Sequence, residues 1–178
     1  MDEQQEAPRP PRRRRWVRNL FLIFIGLIAL AVGVLAIVSE QYRGPRDLAG
    51  VTAVMPGVPI FPFADVAPNN RAAQRTMAIP LLLLRKQGAR QAETALLQVP
   101  ADRDFIRKWY QQTMPFQGWE QVREDVTAQG TRIIYLRRQE SVQVYVGKTH
   151  SGMQTNIQLT YLDGLQPHQI EQLRGPAE

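Results

Sequence analysis

One uninterrupted apolar run, residues 20–38, constrains this 178-residue chain more than any other feature. It reads LFLIFIGLIALAVGVLAIV and contains no charged or strongly polar side chain. At about 1.5 Å per residue, a helix over these nineteen residues would be roughly 28 Å long, close to the ~30 Å hydrocarbon core of a bilayer. A helix also pairs its own backbone polar groups, as the bilayer interior requires. The run predicts a transmembrane helix over residues 19–39.

The charges beside this run predict its orientation. Residues 1–18 carry six Arg against three acids, which gives this short arm a net charge of +3. By the positive-inside rule the arm stays in the cytoplasm, and the C-terminal body lies in the periplasm, anchored in the inner membrane. Basic residues and amphipathic rings near both ends of the run are the expected membrane-interface anchors: Arg12, Arg13, Arg14, Arg15, Trp16, Arg18 and Tyr42.

A cleaved secretory signal is the alternative interpretation of the same run. The run is longer than the usual apolar region of 7–15 residues, and no small-x-small cleavage site follows it cleanly. These two features favour an uncleaved anchor. Small residues recur on one stripe of the helix, which would let a second membrane helix approach closely; the expected helix-packing interface is Gly26, Ala29, Gly33 and Ala36.

Composition narrows the chemistry. The chain has no cysteine, which excludes disulfides, thiolate metal sites and covalent haem attachment. The formal net charge is +6, and half of it lies in residues 1–18, so the excess indicates membrane topology rather than a nucleic-acid surface on the domain. We therefore expect no nucleic-acid partner.

The rest of the chain predicts an α+β fold: a small antiparallel meander of about five or six strands, packed by one helix. The expected organisation is a cytoplasmic basic arm (1–18), the transmembrane helix (19–39), a Pro-rich extended connector (40–70), the extracytoplasmic α+β domain (71–162) and a polar tail (163–178) with one short helical turn near residues 167–173. Five prolines between residues 45 and 68 argue against any regular element in the connector. Its apolar residues suggest a strap along the domain or a partner, and the expected partner-contacting residues are Pro59, Ile60, Phe61, Pro62 and Phe63.

Hydrophobic patterning predicts the elements of the domain. Residues 76–85 and 91–99 are predicted as strands, the first at an edge or a bulge because it contains Pro80, although its LLLL run also fits a helix. Residues 103–114 predict an amphipathic helix that begins after Asp102 and ends before Pro115. Alternating residues in 120–126, 131–138, 142–148 and 155–161 then predict a meander with one buried and one wet face.

Two segments carry a resemblance to a known family. GVPIFPFADV precedes the sheet, with Pro59, Ile60, Phe61, Pro62 and Ala64 at the shared positions. In DFIRKWYQQTMPFQGWEQV the shared positions are Trp109, Tyr110, Met114, Gly118 and Trp119. Over residues 57–161 the chain resembles a small extracytoplasmic α+β domain of bacterial single-pass membrane proteins and lipoproteins, a family without an established molecular function. The chain departs at Phe63, where the family usually has Gly, and at Trp109, where it usually has Phe. The resemblance implies fold and compartment, and it assigns no catalytic or ligand-binding residue.

The residue types that usually carry catalysis are sparse. The two histidines, His150 and His168, lack metal-ligand spacing, and Ser151 beside His150 has no nucleophile elbow around it. Asp102 and Asp104 fit helix capping better than paired acid–base work. The meander is basic, which is typical of a solvated face and would also suit an acidic partner or lipid headgroups; the residues are Arg132, Arg137, Arg138 and Lys148. We expect no catalytic residue, metal or cofactor, no enzymatic activity and no small-molecule substrate.

Two functional hypotheses follow. The first is a non-catalytic accessory subunit of a larger bacterial membrane complex, photosynthetic or respiratory, that positions its neighbours and has lipid and integral membrane subunits as partners. The alternative is a free-standing, membrane-anchored envelope module that binds a peptide, lipid or glycan. The alternative requires a ligand-sized concave pocket, and a flat surface would count against it.

Overall fold

A computed structural model describes residues 12–41, 44–147 and 154–175 of the chain. The chain separates into two compact units, Met1–Val38 and Ser39–Glu178. The first unit consists of most of one long helix, and the second contains the sheet.

The helix α1 spans Arg12–Gln41. It begins seven residues before the expected membrane span, because Pro11 is the last helix-breaking residue of the arm. The described apolar side chains between Leu20 and Ile37 are exposed, and the Trp16 side chain is 68% exposed. Those side chains are described without a gap only over residues 19–34. Among the described residues, the structure contains no helix long and apolar enough to cross a membrane.

The second unit is an α+β domain built on one six-stranded antiparallel sheet. Its strands are β1 (Asp65–Val66), β2 (Gln91–Val99), β3 (Glu120–Thr127), β4 (Gly130–Arg137), β5 (Glu140–Gly147) and β6 (Thr155–Asp163), arranged in the order β1-β2-β6-β5-β4-β3. The helices are α2 (Leu48–Val54), α3 (Asn70–Lys86), α4 (Arg103–Phe116) and α5 (Pro167–Arg174). The expected antiparallel meander is confirmed as β3 to β6, and β2 adds to its β6 side.

One face of the sheet carries a dry core. Strand residues that alternate inward, among them Ile133, Val144 and Leu159, are fully buried. The helix α4 packs on this face through Ile106, Tyr110 and Met114, also fully buried. Its predicted start is confirmed, because the Asp102 carboxylate accepts a hydrogen bond from the Asp104 N–H at 2.8 Å. The helix ends two residues later than expected, with Pro115 inside its last turn.

The connector closes the same dry core. The prediction that its prolines exclude regular structure is wrong at residues 48–54, which form α2, and at residues 65–66, which form β1. No proline lies between Pro45 and Pro56, so two helical turns fit there, capped by Asp47, whose carboxylate accepts from the Gly50 N–H at 2.7 Å. Val51 and Met55 of this segment are fully buried in the core.

The prediction of a strand at residues 76–85 is also wrong, since this segment belongs to α3. Apolar residues recur at helical spacing on this segment. Met77, Leu81 and Leu84 pack in a second apolar cluster with Ala92 and Leu162, and Ala78 is fully buried. This packing outweighs the cost of Pro80 inside the helix. The sheet is therefore packed by more helices than the one expected: α4 on its dry face, and α3 and α5 against the second cluster.

Candidate functional site: a cavity between two helices and the sheet

The second face of the sheet holds a cavity of about 520 Å³. The strands β5 and β6, the C-terminal end of α3 and the helix α5 form its walls. The apolar part of the lining consists of four leucines: Leu84, Leu162, Leu165 and Leu173. The polar part consists of four side-chain amides and one imidazole: Gln87, Gln143, Gln169, Gln172 and His168. The volume lies within the range of small-molecule sites.

A tight turn directs α5 over the cavity. Gly164 has a φ of +78°, a conformation that side-chain-bearing residues rarely adopt, and a Cβ there would lie 2.8 Å from a side-chain carbon of Arg90. The Leu165 N–H then donates to the Gln139 carbonyl at 2.9 Å, which ties the turn to the sheet. The start of α5 is held by a capping box in which the Gln169 side chain accepts from the Gln166 N–H at 2.9 Å. The cavity wall is thus locally fixed.

The charge of the lining defines what the cavity can bind. Among the described residues, the nine that line the cavity include no Lys, Arg, Asp or Glu, and His168 is their one titratable group. Side-chain amides both donate and accept hydrogen bonds, whereas the leucines offer only apolar contact. The lining therefore suits a small uncharged ligand with hydroxyl, amide or carbonyl groups on an apolar skeleton.

A separate polar cluster lies at one end of the dry face and clamps the connector. The Arg137 guanidinium sits 4.2 Å from the Trp119 ring centroid and donates to Glu140 at 2.8 Å and to the Pro56 carbonyl at 3.1 Å. The Trp119 indole N–H donates to the Gly57 carbonyl at 2.8 Å. These contacts fix the connector rather than bind a ligand.

Two carboxylates of the domain have perturbed acidities. Burial opposes ionisation of Glu140, but the Arg137 guanidinium and the Tyr161 hydroxyl, 2.6 Å away, hold its pKa below the ordinary value. Burial, with the Glu140 carboxylate beside it, raises the pKa of the Tyr161 phenol. Hydrogen bonds from Arg132 and then Arg123 lower the pKa of Asp125 on the exposed edge. Burial, ion pairs and hydrogen bonds within the domain account for all three pKa shifts.

The structure distributes the predicted site residues over several places. On α1, a Cβ added at Gly26 or Gly33 would meet nothing within 4 Å, and Ala29 and Ala36 lie on the same helix. In the predicted strap, Phe61 is buried in the domain's own core and Ile60 packs against it, while Phe63 is 87% exposed. Pro59 is half-buried and Pro62 is exposed. A partner contact of the strap thus stays a prediction, with Pro62 and Phe63 as its exposed members.

Several predicted positions lie outside the described residues: the side chains of residues 12–15 and 18, and Tyr42, Lys148, His150 and Ser151. Asp102 is the α4 cap, as predicted, and Asp104 is exposed beside it. His168, expected in a solvated tail, lines the cavity instead. The part of the chain that the structure describes contains no group of three or more His, Cys, Asp or Glu side chains able to hold a metal ion.

Sequence reasoning missed the cavity because its walls are distant in the chain. Residues 84–87, 143, 162–165 and 168–173 come together only when β5 and β6 pair and α3 and α5 pack beside them. The accumulation of glutamine and leucine near the C-terminus is the one local signal of the cavity, and by itself it predicts only a polar tail.

Comparison with known proteins gives one similarity. Residues 81–162 match a START domain-like family. The matched segment runs from the C-terminal part of α3 to the end of β6 and covers less than half of the chain. It contains Leu84, Gln87, Gln143 and Leu162 of the cavity lining, and it ends before α5. No curated protein and no solved structure matches the chain.

Proposed function

We propose that this chain is a membrane-anchored binding module whose extracytoplasmic domain holds a small uncharged ligand between α3, α5 and the sheet. The observation that carries the proposal is the cavity of about 520 Å³ with its lining of leucines and side-chain amides. Such a pocket is what distinguishes a binding module from a flat docking domain. The START domain-like similarity supports the same class, since START-like domains are ligand-binding rather than catalytic.

The membrane anchor is part of this proposal. The apolar run of residues 20–38 lies wholly within the α1 backbone helix, Arg12–Gln41. The exposed leucines, isoleucines and phenylalanines of this helix would be costly in water and are stable in hydrocarbon. The arginines of residues 12–18 support an N-terminus on the cytoplasmic side and a periplasmic domain. Resistance of the full-length protein to extraction by alkaline carbonate tests the anchor.

Native mass spectrometry of the full-length protein, purified in mild detergent, tests the cavity. We expect an additional small-molecule mass on the wild-type protein, and we expect Gln143→Trp, which fills the cavity, to lose it. The matched control is Gln129→Trp, on the exposed β3–β4 turn, which should retain the ligand. Equal retention by both variants would contradict a ligand site between α3 and α5.

An accessory-subunit role is the second candidate. Gly26 and Gly33 leave the surface of α1 open to another helix, because nothing lies within 4 Å of an added Cβ at either residue. In this case the chain would migrate with a large photosynthetic or respiratory complex on native gels after mild solubilisation. Replacing Gly26 and Gly33 by Leu should release it from the complex, whereas Leu at Ala31, off the small-residue stripe, should not.

A further inference from the structure

The outward face of α3 combines cations with exposed apolar side chains. We define this face by Arg71, Ala72, Arg75, Ile79, Leu83 and Lys86, which recur at helical spacing on the side opposite the sheet. Arg71, Arg75 and Lys86 are exposed, Leu83 is 53% exposed and Ile79 is half-buried. The inward side of the same helix is buried through Asn70, Gln74, Ala78 and Leu81.

The charge of α3 is of one sign. All four charged residues between Asn70 and Lys86 are basic, and no acid lies on the helix. Arg85 is directed to the sheet, where it pairs with Glu93 at 2.6 Å, and Arg71, Arg75 and Lys86 are exposed on the outward face. A helix face with Lys and Arg around Leu and Ile is the composition that binds the surface of an anionic bilayer.

The first turns of α3 are hydrogen-bonded to a residue that follows α1 closely in the sequence. The Pro45 carbonyl accepts hydrogen bonds from the Asn70 side-chain amide at 2.9 Å and from the Gln74 amide at 2.7 Å. The first turns of α3 are therefore tied to the point where the chain enters the domain. Pro45 follows Gln41, the last residue of α1, by four positions in the sequence.

We propose that the outward face of α3 lies on the anionic headgroups of the bilayer in which α1 is anchored. This inference rests on the membrane anchor of the proposed function and adds a second, interfacial contact to it. Arg71, Arg75 and Lys86 pair with lipid phosphates, while Leu83 and Ile79 insert between the headgroups. The contact holds the domain close to the membrane, with the cavity at the C-terminal end of the same helix.

The full-length chain in lipid nanodiscs tests this contact. Because the chain has no cysteine, Ala72→Cys provides one labelling site on the outward face for an environment-sensitive fluorophore. In discs that contain phosphatidylglycerol we expect a blue shift and a rise in intensity relative to discs of phosphatidylcholine alone. A label at Gln129→Cys, on the exposed β3–β4 turn, should give the same spectrum in both lipids.

Charge variants show whether the α3 cations are responsible. Combining Ala72→Cys with Arg71→Gln, Arg75→Gln and Lys86→Gln should abolish the shift. The matched control removes three exposed cations elsewhere, through Lys108→Gln, Arg138→Gln and Arg174→Gln, and should preserve it. Loss of the shift in both triple variants would indicate a general charge effect and overturn the proposal.

The outcomes separate this inference from the anchor. Protein that is released from the discs by alkaline carbonate contradicts the anchor itself. Protein that stays in the discs, with a label at position 72 insensitive to phosphatidylglycerol, overturns only the α3 contact. A label that responds to an added acidic protein but not to anionic lipid overturns it as well, since the face would then be a protein-docking surface.

Discussion

The two faces of the sheet are covered in different ways. The dry face is sealed by α4, α2 and the connector, and its inward residues, such as Ile133, Val144 and Leu159, are fully buried. The other face presents Gln143, Thr94 and Thr160 between the leucines of a smaller cluster, and α3 and α5 leave a cavity beside it. Close packing on one face stabilises the fold, and the looser polar cover on the other leaves the cavity open.

Removing a side chain from each face tests this difference most strongly. Leu159→Ala, at the centre of the dry face, should lower the free energy of unfolding by about 2–5 kcal/mol, because it leaves a void in a close-packed core. Leu173→Ala removes the same atoms from a half-buried cavity wall and should cost only about 1 kcal/mol. Urea unfolding followed by Trp fluorescence measures both, and equal losses would break the distinction between the faces.

The charged cluster at the end of the dry face should be sensitive to acid. The pKa of Glu140 is lowered in the folded state, so its ionised form stabilises the fold above its ordinary pKa, and this contribution is lost as the pH falls through the folded value. Glu140→Gln should lower stability at pH 7 by about 1.5 kcal/mol, through loss of the charged partner of Arg137. The variant should also lose less stability than the wild type between pH 5 and pH 3. If the free energy of unfolding changed with pH in the same way in both proteins, the stabilising role of the ionised Glu140 carboxylate would be contradicted.

The smallest expected effect concerns Phe63 in the connector. Its φ is +59°, in the left-handed region, and its side chain is 87% exposed. Phe63→Gly should therefore stabilise the domain by about 1 kcal/mol, because glycine adopts this conformation without steric cost and no buried contact is lost. Phe63→Ala, which keeps a Cβ, is the control and should not stabilise. A destabilised Phe63→Gly protein would show that the exposed ring contributes to folding.

Phe63 and several secondary-structure elements show which features a local sequence pattern can predict. The departure from Gly at this position was visible in the sequence, and the backbone conformation gives its physical meaning. Likewise, the start of α4 at Arg103, the strand at Gln91–Val99 and the alternating meander were predicted because capping and period-two burial are local properties. The short helical turn expected near residues 167–173 is confirmed as α5.

The sequence by itself determined the apolar run of residues 20–38, the α+β class and the strands of the meander, because each follows from the pattern of neighbouring residues along the chain. Only the tertiary structure decided that residues 76–85 form a helix, since LLLL fits either element and the choice depends on packing beside Ala92 and Leu162. The cavity was decided in the same way. Its lining comes from four separate segments, and no local pattern records which side chains meet across a folded sheet.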